Sequence, residues 1–347
     1  MNQAHAPFDR GRQRNRRIVL ASRPTGKVEP SNFRLEQADI PPLNDGEVLV
    51  ATEFLSLDPY MRGRMDDAKS YAKPQPLDET MQGGTVGTVV ESKDARYVPG
   101  DVVLAPTGWQ TYGASPASAL RKVAGGAVPL SAYLGSVGMP GVTAWYGVNR
   151  ILQPKAGQTL VVDAASGAVG AVVGQLAKAA GCRVVGIAGG STKCEVVVQS
   201  FGFDACVDHK AGRLREDLKA ATPDGIDLVF ENVGGVIMDA ILARMNAFGR
   251  IAVCGLIAGY GGEDIALKNI RSILVNKLMI QGFIISDHLD VWPTALAELG
   301  QRVADGSLKY RETITDGLSN APAAFIGLLS GGNLGKQLVR ITEEDRR

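Results

Sequence analysis

The segment from Thr159 to Gly170 constrains the fold more than any other part of this 347-residue chain. An apolar run, Thr159–Asp163, comes directly before a glycine-containing turn, and helical periodicity follows over 168–180. A second apolar run comes at 183–187. Strands that alternate with helices form right-handed crossovers, which build a parallel sheet covered on both faces. The sequence therefore predicts a doubly wound, Rossmann-type α/β domain.

The remaining hydrophobic pattern divides the chain into two domains. Further strands of the parallel sheet are predicted at 205–208, 226–230, 249–254 and 278–285. Before residue 140, short strand-like runs alternate with turn residues, which is typical of a compact β-rich domain. These runs lie at 47–52, 84–90 and 101–105, and the run at 337–341 is expected to rejoin them. We predict a disordered basic tail at 1–15, a β-rich domain at 16–139 and 312–347, and the nucleotide domain at 140–311.

The turn after the first strand of the nucleotide domain is predicted to hold a pyrophosphate. Its motif is A-x-x-G-x-x-G, one glycine short of the usual fingerprint, and its candidate binding residues are Ala165, Ser166, Gly167, Ala168 and Val169. Glycine at 167 lets the backbone approach the phosphates, and the following helix N-terminus offers unpaired N–H groups. A tight turn without a ligand would explain the motif alone, but the flanking strand and helix favour a nucleotide site.

The end of the second strand favours NADPH over NADH. NAD enzymes place an acid there for the ribose 2′-hydroxyl, but residues 187–193 contain none. Lys193 would pair with a 2′-phosphate, and Gly189 and Gly190 are further candidate cofactor-binding residues. The alternative is that Lys193 is a solvated lysine. At two further strand ends, Asn232, Cys254 and Gly255 are predicted to lie beside the cofactor, although sharp turns would also explain these sequences.

Charge and hydropathy argue against nucleic-acid and membrane partners. Lys plus Arg, 37 residues, nearly balances Asp plus Glu, 36 residues. No apolar run approaches the roughly 20 residues of a spanning helix, and no apolar signal segment is expected at the N-terminus. The cysteines, too few for a disulfide framework, are predicted to be ordinary buried thiols in a reducing cytoplasm; they are Cys182, Cys194, Cys206 and Cys254.

No metal site is predicted. Catalytic zinc needs a set of cysteine and histidine ligands, and all four cysteines fall inside the nucleotide domain. The histidines are His5, His209 and His288, so the β-rich domain beyond the tail has neither ligand type.

Six ordered blocks resemble the zinc-free medium-chain dehydrogenases/reductases. The similar subgroup contains leukotriene B4 12-hydroxydehydrogenase/15-oxo-prostaglandin 13-reductase and plant 2-alkenal (double-bond) reductases. The blocks are LSLDPYMR at 55–62, GMPGVTA at 138–144, AASGAVG at 164–170, FENVGG at 230–235, QGF at 281–283 and NLGK at 333–336.

This resemblance implies a GroES-like catalytic domain, a Rossmann domain and a homodimer joined along Rossmann sheet edges. The implied reaction transfers hydride from NADPH to the β-carbon of an α,β-unsaturated aldehyde or ketone. Tyr260 would lie near the substrate carbonyl oxygen, and Tyr60 would line the same cleft. Asn333 would contact the nicotinamide end of the cofactor. Three further cofactor contacts are implied, at Thr143, Phe283 and Ile284.

The chain departs from the family pattern at two places. Relatives usually carry I-S-x-Y-N where this chain reads Ile257 to Gly261, with Ala258 and Gly261 in place of a hydroxyl and an amide. His209 replaces a tyrosine near the 2′-phosphate. Two alternatives stay open: an NADPH:quinone oxidoreductase, and a non-catalytic protein that only binds NADPH. The sequence specifies neither the substrate nor the physiological direction.

Overall fold

The computed structural model describes residues 8–11, 13–123 and 126–346. The chain forms two compact units. Of the described residues, one unit contains those up to 134, those at 314–330 and those from 337 onwards, and the other contains 135–313 and 331–336. Each unit is described by itself below.

The first unit is built on antiparallel strands. Its helices are α1 (Tyr60–Arg64) and α9 (Ala321–Leu329). Its strands are β1 (Asn15–Leu20), β2 (Phe33–Ala38), β3 (Glu47–Ser56), β4 (Thr85–Ser92), β5 (Val102–Ala105), β6 (Tyr112–Pro116), β7 (Arg121–Lys122), β14 (Glu312–Asp316) and β15 (Lys336–Arg340). The main sheet has the order β14-β15-β3-β4-β5-β7, with β6 paired to β3, while β1 pairs with β2. The predicted β-rich character of this region is confirmed.

The second unit is a doubly wound parallel sheet. Its strands are β8 (Thr159–Val162), β9 (Arg183–Ala188), β10 (Ala205–Asp208), β11 (Ile226–Glu231), β12 (Met245–Val253) and β13 (Met279–Gly282), in the order β10-β9-β8-β11-β12-β13. Its helices are α2 (Met139–Tyr146), α3 (Gly170–Ala179), α4 (Ser191–Gln199), α5 (Leu214–Ala221), α6 (Gly235–Leu242), α7 (Arg271–Val275) and α8 (Trp292–Ala304). The strand order reverses direction beside β8, so the turn after β8 lies where parallel sheets bind ligands.

Two hydrophobic clusters cover the two faces of this sheet. Val162 and Phe230 point into one cluster, and Val161 and Val229 point into the other. Successive side chains of a strand alternate between faces, so a strand buried on both sides reads as a continuous apolar run. This is why the hydrophobic runs located these strands correctly.

The structure assigns residues 331–336 to the nucleotide unit, whereas the sequence placed them in the β-rich domain. The N–H of Gly335 donates to the carbonyl of Ser166 at 2.9 Å, and Gly167 and Gly335 form a parallel bridge. These backbone contacts attach the segment to the turn after β8. Hydrophobic periodicity did not indicate them, because the segment is short and rich in glycine.

Residues 8–11 and 13–15 belong to the segment predicted as a disordered tail, and two of them make polar contacts with the β-rich unit. Arg10 donates to Glu91 at 2.7 Å and to the carbonyls of Ile40 and Pro41. Asn15 is buried at the start of β1, and its Oδ1 accepts from Thr111 and Tyr112. These polar contacts compensate for the missing hydrophobic pattern. Residues 1–7 and 12 lie outside the described residues.

The structure also corrects the prediction for two cysteines. Cys194 on α4 and Cys206 on β10 form a disulfide, with their Cα atoms 5.2 Å apart. Cys182 and Cys254 are free thiols, as predicted. Because α4 packs on β10, two cysteines that are 12 residues apart become neighbours.

Candidate functional site

The turn after β8 is shaped by close backbone packing. Ala164 has a φ of +44°, in the left-handed region that non-glycine residues rarely adopt. The N–H of Ala165 donates to the carbonyl of Ile187, and the N–H of Gly167 donates to that of Ala164 at 2.8 Å. Ala165 and Ser166 are buried, whereas Gly167, Ala168 and Val169 are partly exposed. The turn therefore presents its second half to a ligand.

The glycines of this region permit contacts that a side chain would block. A Cβ on Gly170 would lie 2.5 Å from the carbonyl oxygen of Ala164. A Cβ on Gly174 would lie 1.8 Å from the ring of Phe203. Helix α3 thus begins in close contact with the turn. Among the described residues, no side chain forms a capping hydrogen bond with the first N–H groups of this helix. An N-terminus of this kind leaves backbone N–H groups available for phosphate.

A cluster of basic side chains lies at the ends of β9 and β10. The Nε2 of His209 would be 2.8 Å from a Cβ on Gly189, and Cε of Lys210 would be 3.0 Å from it. Lys193, in the first turn of α4, donates to the carbonyl of Gly331 at 2.7 Å. The structure therefore brings together the predicted residues Gly189, Lys193 and His209. Sequence reasoning missed Lys210, although it directly follows His209.

The pKa values of this cluster reflect its positive charge. Burial lowers the pKa of Lys193, and the charge of Lys210 lowers it further. Burial likewise lowers the pKa of His209, with Lys210 and Lys193 adding to the effect and Asp208 opposing it. Asp208 itself accepts from the N–H groups of Gly190 and Lys210, which lowers its pKa. A bound dianion would relieve the repulsion between the basic groups.

The loops after β11 and β12 lie next to the turn after β8. Asn232 donates from its backbone N–H to Oδ1 of Asp163 at 2.7 Å, and from Nδ2 to the carbonyl of Asp163 at 3.1 Å. The hydroxyl of Tyr260 lies 3.5 Å from the position of a Cβ on Gly255. Parallel strands end at a common edge, so Asn232, Gly255 and Tyr260 belong to the same ligand-facing edge as the glycine turn.

Cys254 is a poor candidate for thiolate chemistry. Burial and the nearby charge of Asp163 raise the pKa of its thiol to about 12. A thiol with such a pKa is protonated at neutral pH and acts as a small apolar group. Its predicted contact with the cofactor would therefore be van der Waals packing.

Of three other predicted contacts, two have side chains that bind or pack within the protein. Thr143 is buried, and its hydroxyl donates to the carbonyl of Met139 at 2.7 Å. The ring of Phe283 packs against Tyr146, with centroids 5.3 Å apart, and its N–H donates to the carbonyl of Val253. Ile284 is partly exposed. Because the N–H of Phe283 already donates to Val253, a polar ligand would contact Phe283 through its backbone carbonyl.

Asn333 lies in the segment that joins the glycine turn. Its Nδ2 donates to the carbonyl of Gly335 at 2.7 Å, and Gly335 in turn donates to Ser166. The 331–336 segment therefore carries Asn333 within the same unit as the predicted phosphate site.

Tyr60 lies in the other unit, at the start of α1. Burial is the largest effect that raises the pKa of its phenol; the charge of Asp58 adds to it, and Arg64 opposes it. The guanidinium of Arg64 lies 5.7 Å from the centre of its ring. The phenol is thus a neutral hydrogen-bonding group over the whole physiological pH range.

These residues fit NADPH. The glycine turn would accommodate a pyrophosphate, and Lys193 and Lys210 would provide positive charge for a 2′-phosphate, with His209 beside them. In the described part of the chain, no group of three or more His, Cys, Asp or Glu side chains is placed to hold a metal ion. The described helices also include none that is long and apolar enough to cross a membrane.

Comparison with known proteins identifies relatives along almost the whole chain. A family model described as the N-terminal domain of oxidoreductase matches residues 16–123, and one described as zinc-binding dehydrogenase matches 168–301. NADPH-dependent curcumin reductase of Escherichia coli is 48% identical over 96% of this chain and 99% of its own length. The NADP(+)-dependent 2-alkenal reductase of Nicotiana tabacum is 39% identical over 95% of this chain and 98% of its own length.

A solved structure agrees with these relatives. The crystal structure of CurA from Vibrio vulnificus in complex with NADPH has a TM-score of 0.90 and 47% identity, and the match covers 94% of this chain and 99% of that one. The resemblance first seen in six short blocks thus extends over both units. The chain belongs to the zinc-free medium-chain dehydrogenase/reductase family, in the subgroup that contains the curcumin, 2-alkenal and prostaglandin reductases.

Proposed function

We propose that this protein reduces the C=C bond of α,β-unsaturated aldehydes and ketones with NADPH. The observation that carries the proposal is the shared edge of the parallel sheet, where the glycine turn, the basic cluster and Tyr260 meet. The relatives named as curcumin and 2-alkenal reductases support this substrate class. NADPH, when bound, supplies the hydride that the β-carbon of the substrate receives.

The chain's own residues have three tasks in this reaction. The basic cluster of Lys193, His209 and Lys210 binds the 2′-phosphate, and Asn232 and Asn333 orient the nicotinamide end. Tyr260 donates its O–H to the carbonyl oxygen of the substrate. Negative charge builds on that oxygen as the β-carbon accepts hydride, so the donor stabilises the transition state. A tyrosine donates without being ionised at neutral pH.

A panel of electron acceptors tests the proposed function. Consumption of NADPH is followed at 340 nm with a medium-chain 2-alkenal, an aryl enone, a quinone and a saturated aldehyde, and the products are identified. The proposal expects turnover of the first two, with the C=C bond lost and the carbonyl retained. Turnover of the quinone alone would contradict it, as would tight NADPH binding without turnover of any acceptor.

We further propose that two copies of the chain associate through their nucleotide units. Strand β13 is the edge of the six-stranded sheet, and large apolar side chains near it are exposed. They are Phe248, Ile270, Leu274, Val275 and Met279. An edge strand flanked by such residues favours pairing with another copy. Leu274→Glu should give monomers in analytical ultracentrifugation, whereas Val98→Glu, at an exposed position of the other unit, should not.

We place the protein in the cytoplasm. The reaction consumes NADPH, which cells keep reduced in that compartment. Fractionation of the native host, with NADPH-dependent 2-alkenal reduction as the readout, would test this placement.

A further inference from the structure

Two acidic side chains are completely buried beside the predicted cofactor site. Asp163 directly follows β8, and Glu231 is the last residue of β11; neither is accessible to solvent. The two strands are neighbours, with Val162 opposite Phe230 in their register. The two carboxyl groups therefore come together at the carboxyl edge of the sheet, and neither has a part in the proposed chemistry.

The hydrogen bonds of both carboxyl groups go to one loop. Asp163 accepts from the N–H groups of Asn232, at 2.7 Å, and Val233, at 3.2 Å. Glu231 Oε1 accepts from the N–H groups of Val233, at 2.8 Å, and Gly234, at 2.6 Å. The loop 232–234 therefore has its backbone donors directed inward, onto two carboxyl groups.

The backbone of Glu231 also forms hydrogen bonds with the loop that follows β12. Its carbonyl accepts from the N–H groups of Cys254, at 2.9 Å, and Gly255, at 3.3 Å. Gly255 is the residue beside the hydroxyl of Tyr260. A shift of Glu231 would thus displace both loops that face the substrate and the nicotinamide.

The geometry requires a proton between the two carboxyl groups. Glu231 Oε2 is buried without a hydrogen-bond donor among the described residues, and two adjacent buried carboxylates would repel each other strongly. A proton on Asp163 resolves both problems, because Asp163 then donates to Glu231. Burial and the charge of Glu231 raise the pKa of Asp163 well above its usual value.

Two uncharged groups among the described residues face this pair. Cys254, at the end of β12, lies close enough to Asp163 for the carboxylate charge to raise the pKa of its thiol, so it stays neutral. Asn232, in the loop after β11, provides amide donors and no charge. Besides each other, the two carboxyl groups therefore face a neutral thiol and an amide.

We propose that Asp163 and Glu231 are positioning residues that share one proton and thereby hold the 232–234 loop in the conformation that binds the nicotinamide half of NADPH. This proposal rests on the proposed role of Asn232 in cofactor binding. Loss of the shared proton would place two negative charges behind the loop, break the Asp163–Glu231 hydrogen bond and weaken the binding of NADPH and NADH alike.

The variants Asp163→Asn and Glu231→Gln test the proposal. Each replaces one carboxyl group by an isosteric amide, whose N–H group donates between the two side chains without needing a proton. In Asp163→Asn the N–H of Val233 loses its 3.2 Å bond to Asp163 but keeps its bond to Glu231 Oε1. Wild type should bind both cofactors more weakly as the pH rises from 7 to 10. Asp163→Asn and Glu231→Gln should bind both cofactors like wild type at pH 7. Their binding of NADH, which has no 2′-phosphate for Lys193 to contact, should change little with pH. Asp163→Ala, which removes the acceptor of the Asn232 N–H group, should bind roughly tenfold more weakly at every pH.

Unfolding of the cofactor-free protein provides a readout that does not depend on enzyme activity. A carboxyl group whose pKa is raised by folding takes up a proton when the chain folds, so stability falls as pH rises towards the folded pKa. The unfolding equilibrium constant of wild type should therefore rise about tenfold per pH unit relative to that of Asp163→Asn. The ratio of the two unfolding constants should stop rising once the pH exceeds the raised pKa of Asp163 in the folded protein.

The outcomes separate this inference from the proposed function. Identical pH profiles of wild type and Asp163→Asn, in cofactor binding and in unfolding, would show that the carboxyl groups share no proton. Normal cofactor binding by Asp163→Ala would show that the pair does not position the loop. Failure to reduce any enone would contradict the proposed function but would leave both of these measurements unchanged.

Discussion

The ammonium group of Lys193 donates to the carbonyl oxygen of Gly331 at 2.7 Å. This bond joins the first turn of α4 to the segment 331–336, which also carries Asn333. An ammonium group has three donors, so two remain for a phosphate at the end of β9. The contact thus orients Lys193 towards the proposed 2′-phosphate site, with Lys210 and His209 close by.

Lys193→Ala should weaken NADPH binding without affecting NADH. The lost interaction is a charge-assisted contact with a phosphate that only NADPH carries, and roughly a tenfold rise in Kd is expected. The Kd of each cofactor is measured by following protein fluorescence while NADPH or NADH is added. Lys219→Ala, at an exposed position on α5, is the matched control and should change neither Kd. Equal losses for NADPH and NADH would show that Lys193 does not contact the 2′-phosphate.

His209 should make NADPH binding dependent on pH below neutrality. Burial and the neighbouring lysines lower its pKa in the free protein, whereas a bound 2′-phosphate would favour the charged imidazole. The Kd of NADPH should therefore rise as the pH increases from about 5 to 7. NADH binding, and NADPH binding by His209→Gln, should show no such rise. A flat NADPH profile in wild type would argue against a His209–phosphate contact.

Tyr260→Phe should lower kcat and leave cofactor binding intact. Removing one donor to a developing oxyanion typically costs about 3 kcal/mol, or roughly a hundredfold in rate. Stopped-flow measurement of hydride transfer to a 2-alkenal gives this value, and NADPH titration gives the Kd. Tyr71→Phe changes an exposed tyrosine of the other unit and should retain full activity. A Tyr260→Phe enzyme with the kcat of wild type would remove Tyr260 from the mechanism.

Reducing the disulfide between Cys194 and Cys206 should destabilise the nucleotide unit. The bond closes a short loop between α4 and β10, and such a loop stabilises a fold by roughly 3 kcal/mol through the entropy of the unfolded chain. Urea unfolding with and without a dithiol measures the change. Cys194→Ser should lose the same amount and become insensitive to the dithiol, whereas Cys182→Ser should stay sensitive. An equal midpoint with and without the dithiol would mean that the bond contributes no stability.

The sequence predicted the elements of the nucleotide unit well, because a buried parallel strand is a continuous apolar run. Thr159–Asp163 and Ile226–Phe230 contain such runs, at 160–162 and 228–230, and they correspond to β8 and β11. The glycine turn was also recognisable, because close packing at Gly170 tolerates no side chain. Both features are local, so a single stretch of sequence carries the information.

Contacts between distant segments were not predictable in the same way. The pairing of Asp163 with Glu231 depends on the register between two strands, and no local pattern distinguishes a buried acid from an exposed one. Cys194 meets Cys206 only because α4 packs on β10. The attachment of Gly335 to Ser166 is a backbone contact, for which composition gives no indication.

The fate of the transferred hydride tests the account most directly. NADPH carrying two deuterium atoms at C4 of the nicotinamide is incubated with the protein and a medium-chain 2-alkenal, and the product is analysed by NMR. We expect a saturated aldehyde with one deuterium atom at the β-carbon and none at the carbonyl carbon. Deuterium at the carbonyl carbon, which indicates an allylic alcohol product, or an unlabelled substrate recovered intact, would contradict the account.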